Sequence, residues 1–276
     1  MSNSDLATVH GFGYEWSNFD QSRVSSVELQ KLFGEYFSVF PWHEVDMASS
    51  IGADFGCGSG RWSKFVAPRV KILHLIDASA EALDVARRNL LGNSNVVFHE
   101  ASVEDAMIED NSLDFAFSLG VLHHVPDTAR ALRDIQKKMK LGSPLLVYLY
   151  YRFDNRPRWY AMLWKLTDIL RRAVSRLPHV IRLSVSQTVA AFCYFPLART
   201  AKFLDSLGKM PAAFPLAYYR NRSFYTMRTD ALDRLGTRIE HRFTKAEIET
   251  LLERAGFSGI TFSESAPYWC AVARKK

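Results

Sequence analysis

Cysteine is scarce in this sequence: three residues in 276, Cys57, Cys193 and Cys270, none of them in a CxxC pair. That excludes a disulfide framework and a thiolate zinc site of ordinary spacing, and makes a reducing, cytoplasmic setting the expectation. Glycine and proline number only 14 and 10, too few for collagen or low-complexity disorder. The opening residues, MSNSDLATVHGFGYEW, lack the basic and apolar stretches of a secretory signal. Residues 183–198 form an uncharged run of sixteen, but Gln187, two serines, Thr188 and Pro196 interrupt it. It is shorter than a bilayer span and is read as non-transmembrane. What is present is 48% hydrophobic and 23% charged residues, a globular chain long enough for one large domain, or one domain with an insertion.

The net charge of +6 leaves nucleic acid, an anionic membrane or an acidic substrate as partners to weigh. Residues 152–220 hold twelve Lys/Arg against three Asp/Glu, a balance of +9, so the rest of the chain carries −3. The basicity belongs to one segment. It interrupts an alternation of apolar β-type runs with helical patterns, the mark of a parallel α/β sheet. Strands are expected at 51–55, 71–76, 95–99, 113–118 and 144–151. Helices are expected from about Arg61, around Leu83, Ala86, Leu90 and Leu91, and over 128–139. After the insertion, Thr244 and Glu247 form a capping box for a helix ending at Gly256, and strands at 259–263 and 268–273 pair as a hairpin. The expected division is an N-terminal helical lid at 1–45, a core at 46–152, a helical insertion at 153–226 and completion of the core at 227–276.

Asp54-Phe55-Gly56-Cys57-Gly58-Ser59-Gly60 lies between a strand and a helix, where glycine lets a ligand approach the backbone and the helix start offers free amides. Asp77 ends the next strand 19 residues after Gly58, the offset at which a carboxylate accepts from both hydroxyls of a ribose. Together they indicate a nucleoside-containing cofactor. A dinucleotide fingerprint needs Gly or Ala at position 61, where this chain has Arg61, which disfavours a nicotinamide enzyme.

The G-x-G-x-G spacing resembles motif I of the class I S-adenosylmethionine-dependent methyltransferases, of the type 11/25, UbiE-like kind. The likeness continues through VVFHEASVEDAMIEDNSLDFAFSLGVLHHVPD at 96–127 and covers 46–151 and 227–276. The resemblance implies a Rossmann-like sheet of seven strands, parallel except for the last, with helices on both faces, a helical insertion after the fifth strand, and S-adenosylmethionine as cofactor. It implies that Gly56, Gly58 and Gly60 pass under the methionine moiety, with Asp54 near its ammonium, Asp77 on the ribose and the Leu119 backbone beside the sulfonium. Cys57 and Ala78 complete that set, and Trp62 either packs on the cofactor or holds its helix to the sheet. Many members hold the adenine amino group with Asp where this chain has Ser102, so the Val103 backbone and Glu104 are candidates alongside Ser102. Tyr14 and Trp16 are candidates for a lid.

Methyl transfer from a sulfonium needs positioning, no metal, and a base when the acceptor must lose a proton. His123 and His124, at the end of the fourth strand, are the candidate catalytic residues; as neighbours in sequence they are expected to point apart. Tyr150, Tyr151, Asp154, His241, Arg242 and Tyr268 are expected near the mouth. The acceptor is expected to be a small molecule, methylated on O or N rather than C. An RNA-modifying enzyme and a noncatalytic cofactor-binding partner protein are the alternatives. In the insertion, 158–177 place Trp159, Leu163, Leu166, Leu170, Ala173 and Leu177 on one helical face, with Arg158, Lys165, Arg172 and Arg176 on another. The first expectation is that the apolar face packs inward and the arginines are solvated. The sharper one is an acidic or amphipathic acceptor at a membrane surface.

Overall fold

The computed structural model describes residues 3–276, which divide into two compact units. The first comprises the chain up to Gln21, Leu29–Tyr151 and Ile239–Lys276; the second comprises Ser22–Glu28 and Arg152–Arg238.

The first unit opens with α1 (Leu6–Asn18), and the unit boundary falls within α2 (Ser26–Tyr36). Asp5 caps α1 by accepting from the Thr8 N–H at 2.8 Å. There follow β1 (Ile51–Phe55), α3 (Ser63–Val66), β2 (Ile72–Asp77), α4 (Ala80–Asn89), β3 (Val96–Glu100), β4 (Phe115–Leu119), α5 (Thr128–Lys138) and β5 (Pro144–Tyr148). The second unit supplies α6 (Arg158–Val174), α7 (His179–Val189), α8 (Phe195–Ser206) and α9 (Phe224–Gly236). The first unit then closes with α10 (Lys245–Arg254), β6 (Phe257–Phe262) and β7 (Cys270–Lys275).

Seven strands lie in the order β3-β2-β1-β4-β5-β7-β6, and only β7 runs against its neighbours. The order reverses between β1 and β4, and in open sheets of this kind ligands settle beyond the C-terminal strand ends at that reversal. Pleating sends alternate side chains of β4 to opposite faces. Phe115 and Phe117 meet Phe40 and Phe37 beyond α2, at centroid distances of 5.8 and 5.3 Å. Ala116 joins the buried cluster containing Leu132 and Ile135 of α5 and Ile248 and Leu252 of α10. Helices therefore cover both faces.

Several boundaries differ from expectation. α3 is a single turn because Pro68 lies in the 3₁₀ turn Ala67–Arg69 that follows it. Leu91 lies past the end of α4 and is 81% exposed, whereas Leu90 is buried. β5 stops at Tyr148; beyond it the Phe243 N–H donates to the Tyr150 carbonyl at 2.9 Å. The capping box at Thr244 and Glu247 is formed, and Gly256 takes the left-handed φ of +92° that ends α10.

In the second unit α7, a π-helical turn at Ala190–Tyr194 and α8 make one continuous helix, His179–Ser206. Its 28 residues are long and apolar enough to cross a membrane by length and composition, well beyond the sixteen-residue run legible in the sequence. Arg182, Ser186, Ala190, Tyr194, Ala198 and Ala201 recur along its buried side. Ala190, Tyr194 and Ala198 form a core with Tyr219 and with Met227 and Ala231 of α9. For that reason α9 groups with the insertion, and the first unit resumes at Ile239 rather than 227.

The expected inward face of α6 is overturned. Of that face, Trp159, Leu163, Leu166 and Leu170 are 48%, 40%, 66% and 46% exposed, while Asp168 and Arg171 are buried. The cause is the C-terminal end of α9. Arg171 pairs with Asp168 at 2.7 Å and donates to the Thr237 carbonyl at 2.8 Å, and Arg182 donates to Gly236 at 2.9 Å. These guanidiniums satisfy helix-end carbonyls that would otherwise be buried without donors, and so decide which side of α6 turns in.

Candidate cofactor and active site

The chain leaving β1 doubles back at once over the end of β2. Gly56, Gly58 and Gly60 have φ of +78°, +51° and +72°, a region that costs side-chain-bearing residues about 1–2 kcal/mol each. The N–H groups of Gly56 and Cys57 both donate to the Ile76 carbonyl, at 2.7 and 3.0 Å. A side chain on Gly56 would strike Val121, and one on Gly58 would come within 2.7 Å of the Trp16 indole.

Asp77 braces this turn. One carboxylate oxygen accepts from the Gly58 N–H and the other from the Ser79 N–H, both at 2.9 Å. Each oxygen keeps a further lone pair for a ligand hydroxyl. Burial raises its pKa, against the lowering effect of these backbone N–H groups. Asp54, at the penultimate position of β1, is 1% exposed and accepts from the Ser63 hydroxyl at 2.6 Å. Burial pushes its carboxyl up to about 7; Ser63 lowers it, Asp77 raises it and Arg61 lowers it. Ser63, nine residues on, carried no signal of its own in the sequence.

α1 runs across these strand ends. Trp16 lies against Gly58, and Gly13 lies so close to Ser79 that a β-carbon there would stand 2.6 Å from its hydroxyl. Phe12 tilts onto His124 at 5.1 Å. Ahead of the helix, the Asn3 N–H donates to Glu104 at 2.6 Å, and the Asn3 amide both accepts from the Asp127 N–H at 2.7 Å and donates to its carbonyl at 2.8 Å. Trp16 thus lies against the glycine turn, and Phe12 and Asn3, which carry no motif in the sequence, lie against His124 and Glu104. The Arg61 guanidinium sits over the indoles of Trp16 and Trp62, at 5.5 and 4.4 Å. Trp62 is 3% exposed and packs on Tyr36 at 4.7 Å.

In the loop after β3, the Ser102 hydroxyl donates to Asp105 at 2.6 Å, Val103 packs against the core, and Glu104 holds Asn3. Ala78 sits between Asp77 and Ser79. Leu119 ends β4 and is followed by Gly120 with φ of +84°.

The two histidines do not point apart: their ring centroids are 4.0 Å from each other. His123 is fully buried, stacks on Tyr150 at 3.8 Å, and finds no hydrogen-bond partner for either ring nitrogen. Burial first, then the charges of His124, Arg242 and His241, hold its pKa well below the usual histidine value, so it is neutral. His124 Nδ1 lies 2.7 Å from the Ile239 carbonyl. A carbonyl only accepts, so Nδ1 carries the proton and Nε2, a buried atom, is the unprotonated nitrogen.

The segment after Ile239 clasps this turn. The His241 N–H donates to the His123 carbonyl at 2.9 Å, although the His241 side chain is exposed. Arg242 pairs with the buried Glu240 at 2.7 Å and lies over Tyr150 at 5.2 Å. Tyr268 meets Tyr151 at 5.7 Å. Asp154 falls in the second unit. Among the described residues no three His, Cys, Asp or Glu side chains converge as a metal would require.

Residues 53–147 match a family model described as a methyltransferase domain. Over 103 residues, 35% of this chain and 23% of the relative, the sequence is 34% identical to phosphoethanolamine N-methyltransferase 2 of Caenorhabditis elegans. Over 109 residues, 37% of this chain and 43% of the relative, it is 34% identical to the ubiquinone/menaquinone biosynthesis C-methyltransferase UbiE of Hahella chejuensis. The chain thus spans less than half the length of either curated relative. The crystal structure of an S-adenosylmethionine dependent methyltransferase from Mesorhizobium loti superposes with a TM-score of 0.54 at 17% identity, covering 90% of this chain and 100% of that one, a likeness of fold.

Proposed function

We propose that this chain transfers a methyl group from S-adenosylmethionine to the oxygen or nitrogen of a small-molecule acceptor; the match of residues 53–147 to a methyltransferase domain and the order of the seven strands support this reading. The observation that carries the reading is the 2.9 Å bond from the Gly58 N–H to Asp77, which joins the glycine turn to the acidic end of β2. The residues fit the group. The turn leaves no room for side chains at Gly56 and Gly58, the Asp77 oxygens retain lone pairs for two ribose hydroxyls, and Asp54 is a buried carboxylate that a cation would stabilise in its charged form.

Bound there, the cofactor supplies its own electrophile, a sulfonium methyl displaced in line. Asp54 would hold the ammonium and Asp77 the ribose, with Leu119 at the end of β4 lining the same site. Ser102, Val103 and Glu104 receive the adenine. His124 would accept the acceptor's proton at Nε2, the nitrogen left unprotonated by the Nδ1–H bond to Ile239, once the buried atom is exposed to the acceptor, and neutral His123 packs behind it on Tyr150. The free thiols of Cys57, Cys193 and Cys270 support a reducing, cytoplasmic setting. The +9 balance of residues 152–220 supports an acidic or amphipathic acceptor, and one curated relative is named for phosphoethanolamine, another for ubiquinone/menaquinone biosynthesis.

Calorimetry of the whole chain with S-adenosylmethionine and with S-adenosylhomocysteine tests the central point: saturable binding of both is expected, and binding of neither overturns it. For the base, His124→Ala should lower turnover by roughly 10² to 10⁴ with cofactor affinity nearly unchanged. Turnover at the parent rate would remove His124 from the mechanism.

A further inference from the structure

At about 100° per residue, Trp159, Met162, Leu163, Leu166, Ile169 and Leu170 of α6 fall within one arc roughly a third of the way round the helix. All six are exposed, between 40% and 68%. Arg158, Lys165 and Arg172 follow along one edge of that arc and are exposed as well. The one acidic residue of α6, Asp168, is buried and pairs with both Arg171 and Arg172, at 2.7 and 2.8 Å, so the border's charge rests chiefly on Arg158 and Lys165. The outward face of α6 is therefore apolar with a basic border and no carboxylate. On the continuous helix that follows, Val180, Ile181, Phe192, Phe195 and Phe203 are also exposed, between 40% and 81%.

We propose that this face of α6 is a docking surface for an anionic phospholipid bilayer, on which the helix lies in the interface plane with its apolar arc among the acyl chains and its Arg and Lys side chains at the phosphates. The charge pattern selects this occupant. Helices that lie on anionic membranes combine Trp and Leu on one face with Lys and Arg at the polar boundary, where the long side chains reach the head groups while their stems stay apolar. Protein interfaces deplete Lys around their apolar centre, and the +9 balance of residues 152–220 is complementary to a negative leaflet. Six large apolar side chains in contiguous positions exceed what soluble surfaces leave uncovered without a purpose. Binding by α6 makes no use of the glycine turn or the histidines, so it stands apart from the proposed methyl transfer.

Flotation of the whole chain with phosphatidylcholine vesicles, with and without phosphatidylglycerol, tests this. The protein should rise with the anionic vesicles and not with phosphatidylcholine alone, and binding should weaken as salt screens the head groups. Leu166→Glu with Ile169→Glu should reduce binding by at least about tenfold, while circular dichroism and S-adenosylhomocysteine affinity match the parent. A second variant, Lys165→Glu with Arg158→Glu, should lose the preference for anionic lipid with the apolar arc intact. Absence of flotation at low salt overturns the proposal, as does unchanged flotation of both variants. A parent protein that self-associates and ignores vesicles, and that the Leu166/Ile169 variant converts to monomer, overturns it in favour of an interface between copies.

Discussion

A carboxyl buried as Asp54 is, with its pKa raised to about 7, is near half protonation at neutral pH, and in the proposed site it is the group that a ligand cation would meet. Its folded value of about 7 lies above the ordinary 3.8 because burial disfavours the charge. The folded chain thus holds a proton that the unfolded chain has released. Its stabilising contribution is present in full below about 3.8 and is lost as the pH rises through about 7. Asp54→Asn should therefore raise the melting temperature of the cofactor-free protein at pH 8, by the equivalent of a few kcal/mol at most, while abolishing measurable cofactor binding. A cationic ligand group reverses the preference. Affinity for S-adenosylmethionine should climb from pH 5.5 to 7 and level off above, with proton release visible by calorimetry in buffers of different ionisation heat. Affinity that is flat across this range, without proton release, would detach Asp54 from the ligand's charge.

Among the elements, α1 touches both the glycine turn and the histidine turn. Its Trp16 covers Gly58 and takes the Arg61 guanidinium on its ring, and Phe12 covers His124. Trp16→Ala uncovers Gly58 in the glycine turn, so S-adenosylhomocysteine should dissociate faster by stopped flow, with helix content unchanged; dissociation at the parent rate would detach Trp16 from the ligand. That an aromatic N-terminal segment precedes the first strand is legible in Tyr14 and Trp16; the contact that anchors it is not. Asn3 reaches Glu104 and Asp127, more than a hundred residues away, and nothing local marks that contact. The strands were legible because buried parallel strands read as continuous apolar runs bounded by glycine and polar turns. α6 was misread for the complementary reason. Periodicity identifies an apolar stripe but not which side of the helix turns inward, and here the carbonyls at the end of α9 drew Arg171 and Arg182 inside. Likewise the proximity of His123 and His124 depends on a turn whose shape is set by the 239–243 segment.

Across the whole molecule, the residues assigned to the cofactor all belong to the first unit, and the basic charge belongs mainly to the second. The two have separate buried cores, one around the sheet and one around Ala190, Tyr194, Tyr219 and Met227. Ligand binding stabilises whatever binds it, by about 2.7 kcal/mol at a hundredfold excess over the dissociation constant. Hydrogen exchange in saturating S-adenosylhomocysteine should therefore slow at 54–62, 77–82, 101–104 and 119–124, where amides border the turn, Asp77, the adenine loop and the histidines. Amides of α6 through α8 should exchange as they do without ligand, because their protection derives from the second core. The same distinction separates the two activities: lipid should protect α6 without slowing exchange at 54–62. Protection spreading equally through both units on cofactor binding would show one cooperative body, and would place the cofactor's influence on the basic helices rather than on the sheet alone.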